Sequence, residues 1–290
     1  MPVWKRFLLH GYYYGCYPHR WWRNRALRAA GKLPVIVLIY HRICDDRAND
    51  WTTHPKVFVN DIRWLQKHFD LVPLEEAQRR IRQGVNRAPC VSITFDDGYA
   101  ANCQTALPLL VKERIPFTYF VSTAPILEGD FFEHDLVMGN RFAPNTLEEI
   151  KALAGAGVEI GAHTRTHADL GRVTDPGQLR DELITASEDL QNAVGVPIRY
   201  FAFPTGQHVN LSPQAFHLAR EWGFEAACSA YGGYNEPGGD PFHLQRVGVD
   251  GPMIRLKNWA TVDPVKVWKI KRYQYATLPE PAQLVGAAGD

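Results

Sequence analysis

Short apolar runs alternate with helical patterns along most of the chain, and this alternation constrains the fold more than any other feature. The run Val35–Tyr40, with the sequence VIVLIY, is rich in β-branched residues and is typical of a strand buried on both faces. Seven more strands are predicted along the chain, at residues 69–72, Cys90–Phe95, Phe117–Val121, 158–161, 200–203, 224–227 and 243–249. Helices are predicted between them, at Pro55–His68, Leu74–Gln83, 101–113, 146–154, 177–192 and Pro213–Trp222.

This order of strands and helices predicts a mainly parallel α/β sheet. Seven or eight such units indicate a closed or nearly closed barrel, whereas a doubly wound open sheet is the alternative. The predicted catalytic domain covers residues 33–255 as a single unit. Residues 1–32 are interpreted as a basic, aromatic arm, and residues 256–290 as a C-terminal extension that ends in a frayed tail.

Residues 1–28 lack the apolar core and the small-residue cleavage site of a signal peptide. No segment of the chain reaches the ~20 apolar residues that a spanning helix needs. A cytoplasmic protein is therefore expected. The mixture of Trp, Tyr and Arg in the arm suits peripheral contact with the inner face of the membrane. The alternative is an arm that simply packs on the barrel.

Cysteine usage and charge exclude several classes of protein. The five cysteines are odd in number and show no CxxC spacing, which argues against a disulfide framework and against a cysteine zinc site. The net charge of +1 lacks the basic balance expected of a nucleic-acid-binding domain. The sequence gives no oligomeric state.

Two adjacent carboxylates, Asp96 and Asp97, directly follow the predicted strand Cys90–Phe95. Catalytic groups of α/β barrels gather at the carboxyl ends of the strands. Adjacent carboxylates at such a place are costly unless a cation or a proton compensates them. Gly98 follows and allows a tight turn, so an ordinary Asp-Gly turn is the alternative interpretation.

A pair of histidines, His163 and His167, follows another predicted strand at residues 158–161. A spacing of four places both imidazoles on one face of a helical turn, from which they can reach one metal ion. Two histidines with one carboxylate form a catalytic arrangement that leaves positions open for water and substrate. Surface histidines are the alternative for the pair alone.

Three further strand ends carry polar groups of interest. His41 follows the first strand and is a candidate proton donor to a leaving group, with a packed core histidine as the alternative. The turn at Pro204, Thr205 and Gly206 exposes backbone N–H groups that could stabilise an oxyanion. Arg246 lies on the last predicted strand, where it could keep a catalytic carboxylate ionised.

The segments TFDDG at residues 94–98 and HTRTH at residues 163–167 together resemble the polysaccharide deacetylase family, the NodB-homology domain. The YHRI, FAFPTG and QRVGV segments extend the resemblance to residues 35–249 and are similar to the branch with circularly permuted motifs, which includes exopolysaccharide deacetylases. The family fold is a distorted (β/α)7 barrel. The implied substrate is an N-acetylated glycan, and the implied cofactor is a divalent metal, Zn²⁺ first, with Co²⁺, Ni²⁺ or Fe²⁺ as alternatives.

The resemblance also implies roles for individual residues. Asp97, His163 and His167 would hold the metal, and Asp96 would be the catalytic base. His41 would be the general acid. The remaining implied contacts are to substrate or oxyanion, through the backbone N–H of Thr205 and through Pro204 and Tyr99.

Two positions depart from the family pattern, because Ala202 stands where the third motif often has Arg and Thr205 where it often has Tyr. Arg246 is the candidate replacement for the missing Arg. Asp169 is a candidate acceptor that orients a metal ligand, or else a turn residue. Two other functions remain open: a deacylase of a lipid-linked or nucleotide-linked sugar, and an inactive carbohydrate-binding member of a polysaccharide synthesis complex.

Overall fold

The structure, a computed structural model, describes residues 3–46 and 49–275. Its strands are β1 Val35–Tyr40, β2 Arg42–Ile43, β3 Thr52–Thr53, β4 Asp70–Leu71, β5 Cys90–Phe95, β6 Phe117–Val121, β7 Glu159–Ala162, β8 Tyr200–Ala202, β9 Ala226–Ser229, β10 His243–Gln245 and β11 Val247–Gly248. Its α-helices are α1 Val3–Gly15, α2 Tyr17–Ala30, α3 Pro55–His68, α4 Leu74–Gln83, α5 Ala106–Lys112, α6 Thr123–Glu128, α7 Glu133–Val137, α8 Leu147–Gly155, α9 Pro176–Arg180, α10 Ala186–Val194, α11 Pro213–Trp222, α12 Met253–Ala260 and α13 Pro264–Lys269.

A parallel sheet, surrounded by helices, forms a nearly closed barrel. Eight strands follow the order β10-β9-β8-β7-β6-β5-β1-β11, and β4 also pairs with β5. The two ends of this path are consecutive in sequence, since β10 pairs with β9 and β11 pairs with β1. The chain therefore passes from one edge of the sheet to the other at Arg246, which places that residue where the barrel closes. The predicted distorted barrel is confirmed.

The central strands are buried on both faces, as their β-branched composition requires. Every residue of β1, β5 and β6 is buried. The interior of the barrel is filled by Val35, Val37, Phe120, Ala202 and Leu244, which belong to one apolar cluster. A larger cluster lies between the sheet and the helices. Because the strands are packed on both faces, the positions of their carboxyl ends are fixed, and so are the starting points of the loops that follow them.

The sequence predicts some bounds correctly and misses others for local reasons. The bounds of β1, β5, β6, α3, α4 and α11 agree with the prediction. The predicted helix at residues 101–113 begins with a 3₁₀ segment, Ala100–Gln104. The predicted helix at residues 177–192 contains a π-helical segment, Asp181–Thr185. The predicted last strand, residues 243–249, is split into β10 and β11 because it changes pairing partner at Arg246.

The structure adds detail to both ends of the chain. Within the basic, aromatic arm assigned to residues 1–32, helices α1 and α2 cover residues 3–15 and 17–30. Helix α12 crosses the predicted boundary after Arg255, and its Leu256 and Trp259 side chains are buried. Residues 276–290 of the predicted tail lie outside the described residues. Within the described part of the chain, no helix has both the length and the apolar character needed to cross a membrane.

Candidate active site

The parallel strands bring most of the predicted site residues to one end of the barrel. Strand β1 pairs with β5 so that Tyr40 lies opposite Phe95, and His41 and Asp96 therefore begin neighbouring loops. Strand β7 ends at Ala162, and His163 follows it. Because parallel strands end at the same edge, these loops meet at the carboxyl end of the sheet, where barrel enzymes carry their catalytic groups.

Asp97, His163 and His167 form a cluster with the geometry of a metal site. One ligand atom from each lies within 4.8 Å of the others. Asp97 Oδ1 is 3.4 Å from His163 Nε2 and 3.3 Å from His167 Nε2. Two ligands that each lie about 2.1 Å from one cation at tetrahedral angles are roughly 3.4 Å apart. Asp97 Oδ1 is also buried without a hydrogen-bond partner among the described residues. The donor set therefore fits a divalent cation.

A backbone contact fixes the tautomer of His163. Its Nδ1 lies 2.8 Å from the carbonyl oxygen of Ala202. A carbonyl oxygen only accepts hydrogen bonds, so Nδ1 must carry the proton. In the neutral imidazole Nε2 then keeps its lone pair, which faces Asp97 and is available to a metal. Ala202 thus contributes through its backbone, although its side chain cannot replace the Arg of the family motif.

The predicted helical turn between the two histidines is wrong. The segment is an irregular loop, and Thr164 and His167 have left-handed backbone conformations with φ of 63° and 64°. Such values are uncommon for residues other than glycine and are maintained only where the surroundings fix them. The side chain of Glu182 supplies part of this restraint, because it accepts hydrogen bonds from the backbone N–H groups of Arg165 and Thr166, each at 3.0 Å.

Asp96 and Arg246 form a buried bidentate ion pair. The guanidinium nitrogens Nη1 and Nη2 of Arg246 donate to Asp96 Oδ1 at 2.6 Å and to Asp96 Oδ2 at 2.8 Å, respectively. Burial alone would raise the pKa of Asp96, but the charge and hydrogen bonds of Arg246, together with the nearby His163, hold that pKa below its usual value. The carboxylate is therefore kept ionised and oriented, as a base must be.

Arg246 reaches Asp96 from the opposite edge of the sheet, at the barrel closure. Its guanidinium carbon lies 5.0 Å from the ring centroid of Phe120, inside the barrel. Its Nη1 also donates to Thr94 Oγ1 at 3.1 Å, and its Nε donates to the carbonyl oxygen of Ser229 at 3.2 Å. A cation that is fully buried thus makes a charge-assisted contact with each of its polar neighbours.

Replacing Arg246 by Met is expected to destabilise the fold by about 3–5 kcal/mol, because it leaves the buried Asp96 carboxylate without a counter-charge. The free energy of unfolding from urea titration measures this loss. Arg246→Lys keeps the charge and loses the bidentate geometry, so it should fall between wild type and Met. A Met variant as stable as the wild type would contradict this assignment of Arg246.

His41 is paired with a carboxylate that sequence analysis missed. Its Nδ1 lies 2.7 Å from Asp250 Oδ2, and its backbone N–H donates to Asp250 Oδ1 at 3.3 Å. Burial lowers the pKa of His41, but the charge and hydrogen bond of Asp250 outweigh it and raise the pKa to about 9. The imidazole therefore carries its proton at neutral pH, as a general acid requires.

The Asp250→Asn variant should show the effect of this pair on the pH profile. A general acid works only when protonated, so with His41 in the role expected from the sequence, activity is present below the pKa of His41 and is lost as the pH rises through it. Without the Asp250 charge, the alkaline limb of kcat against pH should move from about pH 9 toward the ordinary histidine value of 6.5. Asp189→Asn, at a half-buried carboxylate bonded to Arg165, is the matched control. An unmoved alkaline limb would contradict the pairing's role.

The remaining predicted site residues lie outside the cluster of Asp97, His163 and His167. Pro204 is buried, whereas Thr205 is exposed and has a left-handed backbone with φ of 60°. Tyr99 is fully buried and donates to Asp135 Oδ2 at 2.7 Å, so its side chain supports the wall of the site and does not face solvent. Asp169 accepts hydrogen bonds from Gly171 and Asn210, which is the turn role and not an orienting contact to a histidine.

A carboxylate–histidine cluster at the carboxyl end of a parallel barrel lies where barrel enzymes carry their active sites. The family model for polysaccharide deacetylase matches residues 83–227 of this chain. The chain belongs to the polysaccharide deacetylase family.

The similar proteins match different shares of this chain. The Bacillus subtilis (strain 168) protein YxkH, whose name proposes a polysaccharide deacetylase, is 27% identical over 237 residues, which are 81% of this chain and 77% of YxkH. A chitooligosaccharide deacetylase of Bradyrhizobium sp. (strain ANU 289) is 31% identical over 125 residues, which are 43% of this chain and 48% of that protein. The structure of IcaB from Ammonifex degensii superposes with a TM-score of 0.65 at 25% identity and covers 79% of this chain and 97% of IcaB.

Proposed function

We propose that this deacetylase is a metal-dependent hydrolase that removes N-acetyl groups from amino sugars of a polysaccharide or glycan. The observation that carries the proposal is the cluster of Asp97, His163 and His167, which has the geometry of a metal-binding site. Beside it lies Asp96, which is held ionised by its ion pair with Arg246. The similarity to a chitooligosaccharide deacetylase supports an amino-sugar substrate. Asp97 and the two histidines would hold the cation, with Zn²⁺ first among the metals that suit this donor set.

A divalent cation, when bound, supplies a Lewis acid that polarises the acetyl carbonyl and lowers the pKa of water. Asp96 accepts the proton of the attacking water as its oxygen bonds to the acetyl carbon. The backbone N–H of Thr205 donates to the carbonyl oxygen as negative charge develops there. His41 donates its proton to the sugar nitrogen as the C–N bond breaks. The products are acetate and a free amino sugar.

Substrate chemistry is tested by comparing acetate release from N-acetylglucosamine oligomers with release from O-acetylated xylan. An amide needs a proton on its leaving nitrogen. In the proposed mechanism His41 supplies this proton, and its pairing with Asp250 keeps His41 protonated. Release from the amide substrate, with a strong loss in His41→Ala, is the expected result. Release from the ester alone would contradict the proposed N-deacetylase and point to an esterase.

A further inference from the structure

Helices α1 and α2 expose a stripe of large apolar side chains to solvent. The two helices run as one bent helix, because Cys16 between them has a helical backbone and Arg20 N–H bonds the carbonyl oxygen of Cys16. The stripe is defined by Trp4, Phe7, Leu8, Tyr14, Tyr17, Trp21 and Trp22, whose exposed fractions run from 48% to 73%. Positions 4, 7, 8, 14 and 21 repeat at helical spacing, so they share one face.

The opposite face attaches the two helices to helix α12 and to Asp263, which follows it. Tyr12 donates to Asp263 Oδ1 at 2.6 Å. Arg20 is 2% exposed and donates to the carbonyl and side-chain oxygens of Asn258, both at 2.8 Å. Tyr13 is buried beside it. These contacts fix which face of the helices points outward, and the stripe is the outward one.

The charge of this segment differs sharply from that of the rest of the chain. Of the 32 Lys and Arg residues in the protein, seven lie within residues 1–32, and this segment holds none of the 31 Asp and Glu residues. Lys5, Arg6, Arg25 and Arg28 are exposed along the same helices as the stripe. Aromatic side chains flanked by cations on one amphipathic helix are typical of a helix that lies in a membrane interface.

We propose that the stripe is a docking surface for an anionic lipid bilayer, with the Trp and Tyr rings at headgroup level and the cations on lipid phosphates. Charge complementarity favours this occupant. Each exposed cation near an anionic leaflet strengthens the attraction to that leaflet. A second copy of the chain is disfavoured, because an isologous contact would place two strongly basic segments against each other. The inference is independent of the catalytic proposal.

A cleft beside the stripe extends this surface toward the barrel. It measures about 410 Å³ and lies between α2 and the amino-terminal ends of the strands, lined by Tyr17, Trp21, Arg25, Trp64 and Pro89 among others. Its size is that of a small-ligand site. The aromatic walls of the cleft suit an acyl chain, and Arg25 suits a lipid phosphate. The cleft therefore continues the lipid-binding face.

Docking through the stripe would orient the active site away from the bilayer. Pro34, at the start of β1, lines the cleft, whereas His41 follows the end of the same strand. The six residues of β1 separate the two by roughly 20 Å. The catalytic end then faces the aqueous side, where a glycan chain can reach it.

Vesicle sedimentation tests the proposal with the full chain and needs neither metal nor glycan. Phosphatidylcholine vesicles are compared with vesicles that also contain phosphatidylglycerol. The wild type should bind the anionic vesicles at least about tenfold more strongly, and added salt should weaken this binding. The triple variant Trp4→Ala, Phe7→Ala, Trp22→Ala and the double variant Lys5→Glu, Arg6→Glu should each lose binding by about tenfold or more.

The matched control is the double variant Val137→Ser, Val209→Ser, at two apolar side chains near the catalytic end that are 81% and 80% exposed, one at the last residue of α7 and one in the 3₁₀ segment His208–Asn210. Its binding should equal that of the wild type. Loss of binding in this control would show that the catalytic end docks and would overturn the proposal. Equal binding to both kinds of vesicle would also overturn it, as would a wild-type dimer that the triple variant converts to monomer. Unchanged thermal midpoints of the variants confirm that their folds are intact.

Discussion

Asp96→Asn is expected to lower kcat for acetate release by about a thousandfold or more while a divalent metal still binds. The substitution keeps the shape of the side chain and removes the group proposed to accept the proton of water. Asp97, His163 and His167 are left in place, so the site keeps the three residues proposed as its ligands. The measurement is acetate released from N-acetylglucosamine oligomers, beside metal content of the same preparation.

A second carboxylate provides the control for this variant. Asp135 is fully buried at the wall of the site and accepts a hydrogen bond from Tyr99, and among the described residues no hydrogen bond or ion pair joins it to Asp96 or Arg246. Asp135→Asn should affect packing and KM, and it should lower kcat far less than Asp96→Asn does. An Asp96→Asn protein with near wild-type kcat would contradict the assignment of the base, whatever its stability.

His163→Ala is expected to weaken metal binding by at least about a hundredfold and to abolish acetate release with it. Removing a direct ligand should cost more than removing a residue that only orients one, which typically costs 10–100-fold. The same change frees the Ala202 carbonyl that His163 Nδ1 bonds at 2.8 Å. Calorimetric titration of the chelator-treated protein with Zn²⁺ measures the affinity directly.

The control for His163 is an exposed histidine far from the cluster. His68 ends helix α3 at the amino-terminal side of the sheet, where it lines the cleft beside α2. His68→Ala should bind metal with wild-type affinity and stoichiometry. If His163→Ala also bound one ion with unchanged affinity, the three-residue cluster would not be the metal site.

The elements that the sequence predicts well are those with strong local signals. Strands β1, β5 and β6 are uninterrupted buried runs, and such runs allow little choice of bounds. Helix α11 begins at Ser212-Pro213, where the serine side chain accepts from Ala215 N–H, and ends at Gly223 with a left-handed backbone. The two-residue strands β2 and β3 have no such signals and were missed.

The sequence places candidate site residues near one another where they follow strands directly. Asp96, Asp97 and His163 come immediately after β5 and β7, so the parallel sheet itself brings them together. The ion pair of Arg246 and Asp96 joins residues 150 positions apart, and only a barrel closed at Arg246 allows it. The position of Arg246 on the last predicted strand indicated that it could pair with a catalytic carboxylate. Only the structure shows that the contact with Asp96 is bidentate.

Asp250 and Glu182 are the supporting residues that sequence analysis missed. Asp250 contacts His41 across 209 positions of sequence, and no motif marks it. Glu182 lies in a π-helical segment, where an extra residue in the turn changes the direction of the side chain from that of a regular helix. Both depend on tertiary packing and have no local pattern of their own.

The most direct test of the account is acetate release from N-acetylglucosamine oligomers by one preparation in three states: metal-loaded, chelator-stripped and reloaded with Zn²⁺. The account predicts release in the first state, loss in the second and recovery in the third, with one ion bound per chain. The His163→Ala variant should show no recovery of acetate release after Zn²⁺ is added. Full release by a protein shown to be free of metal would contradict the metal-dependent mechanism proposed for Asp97, His163 and His167.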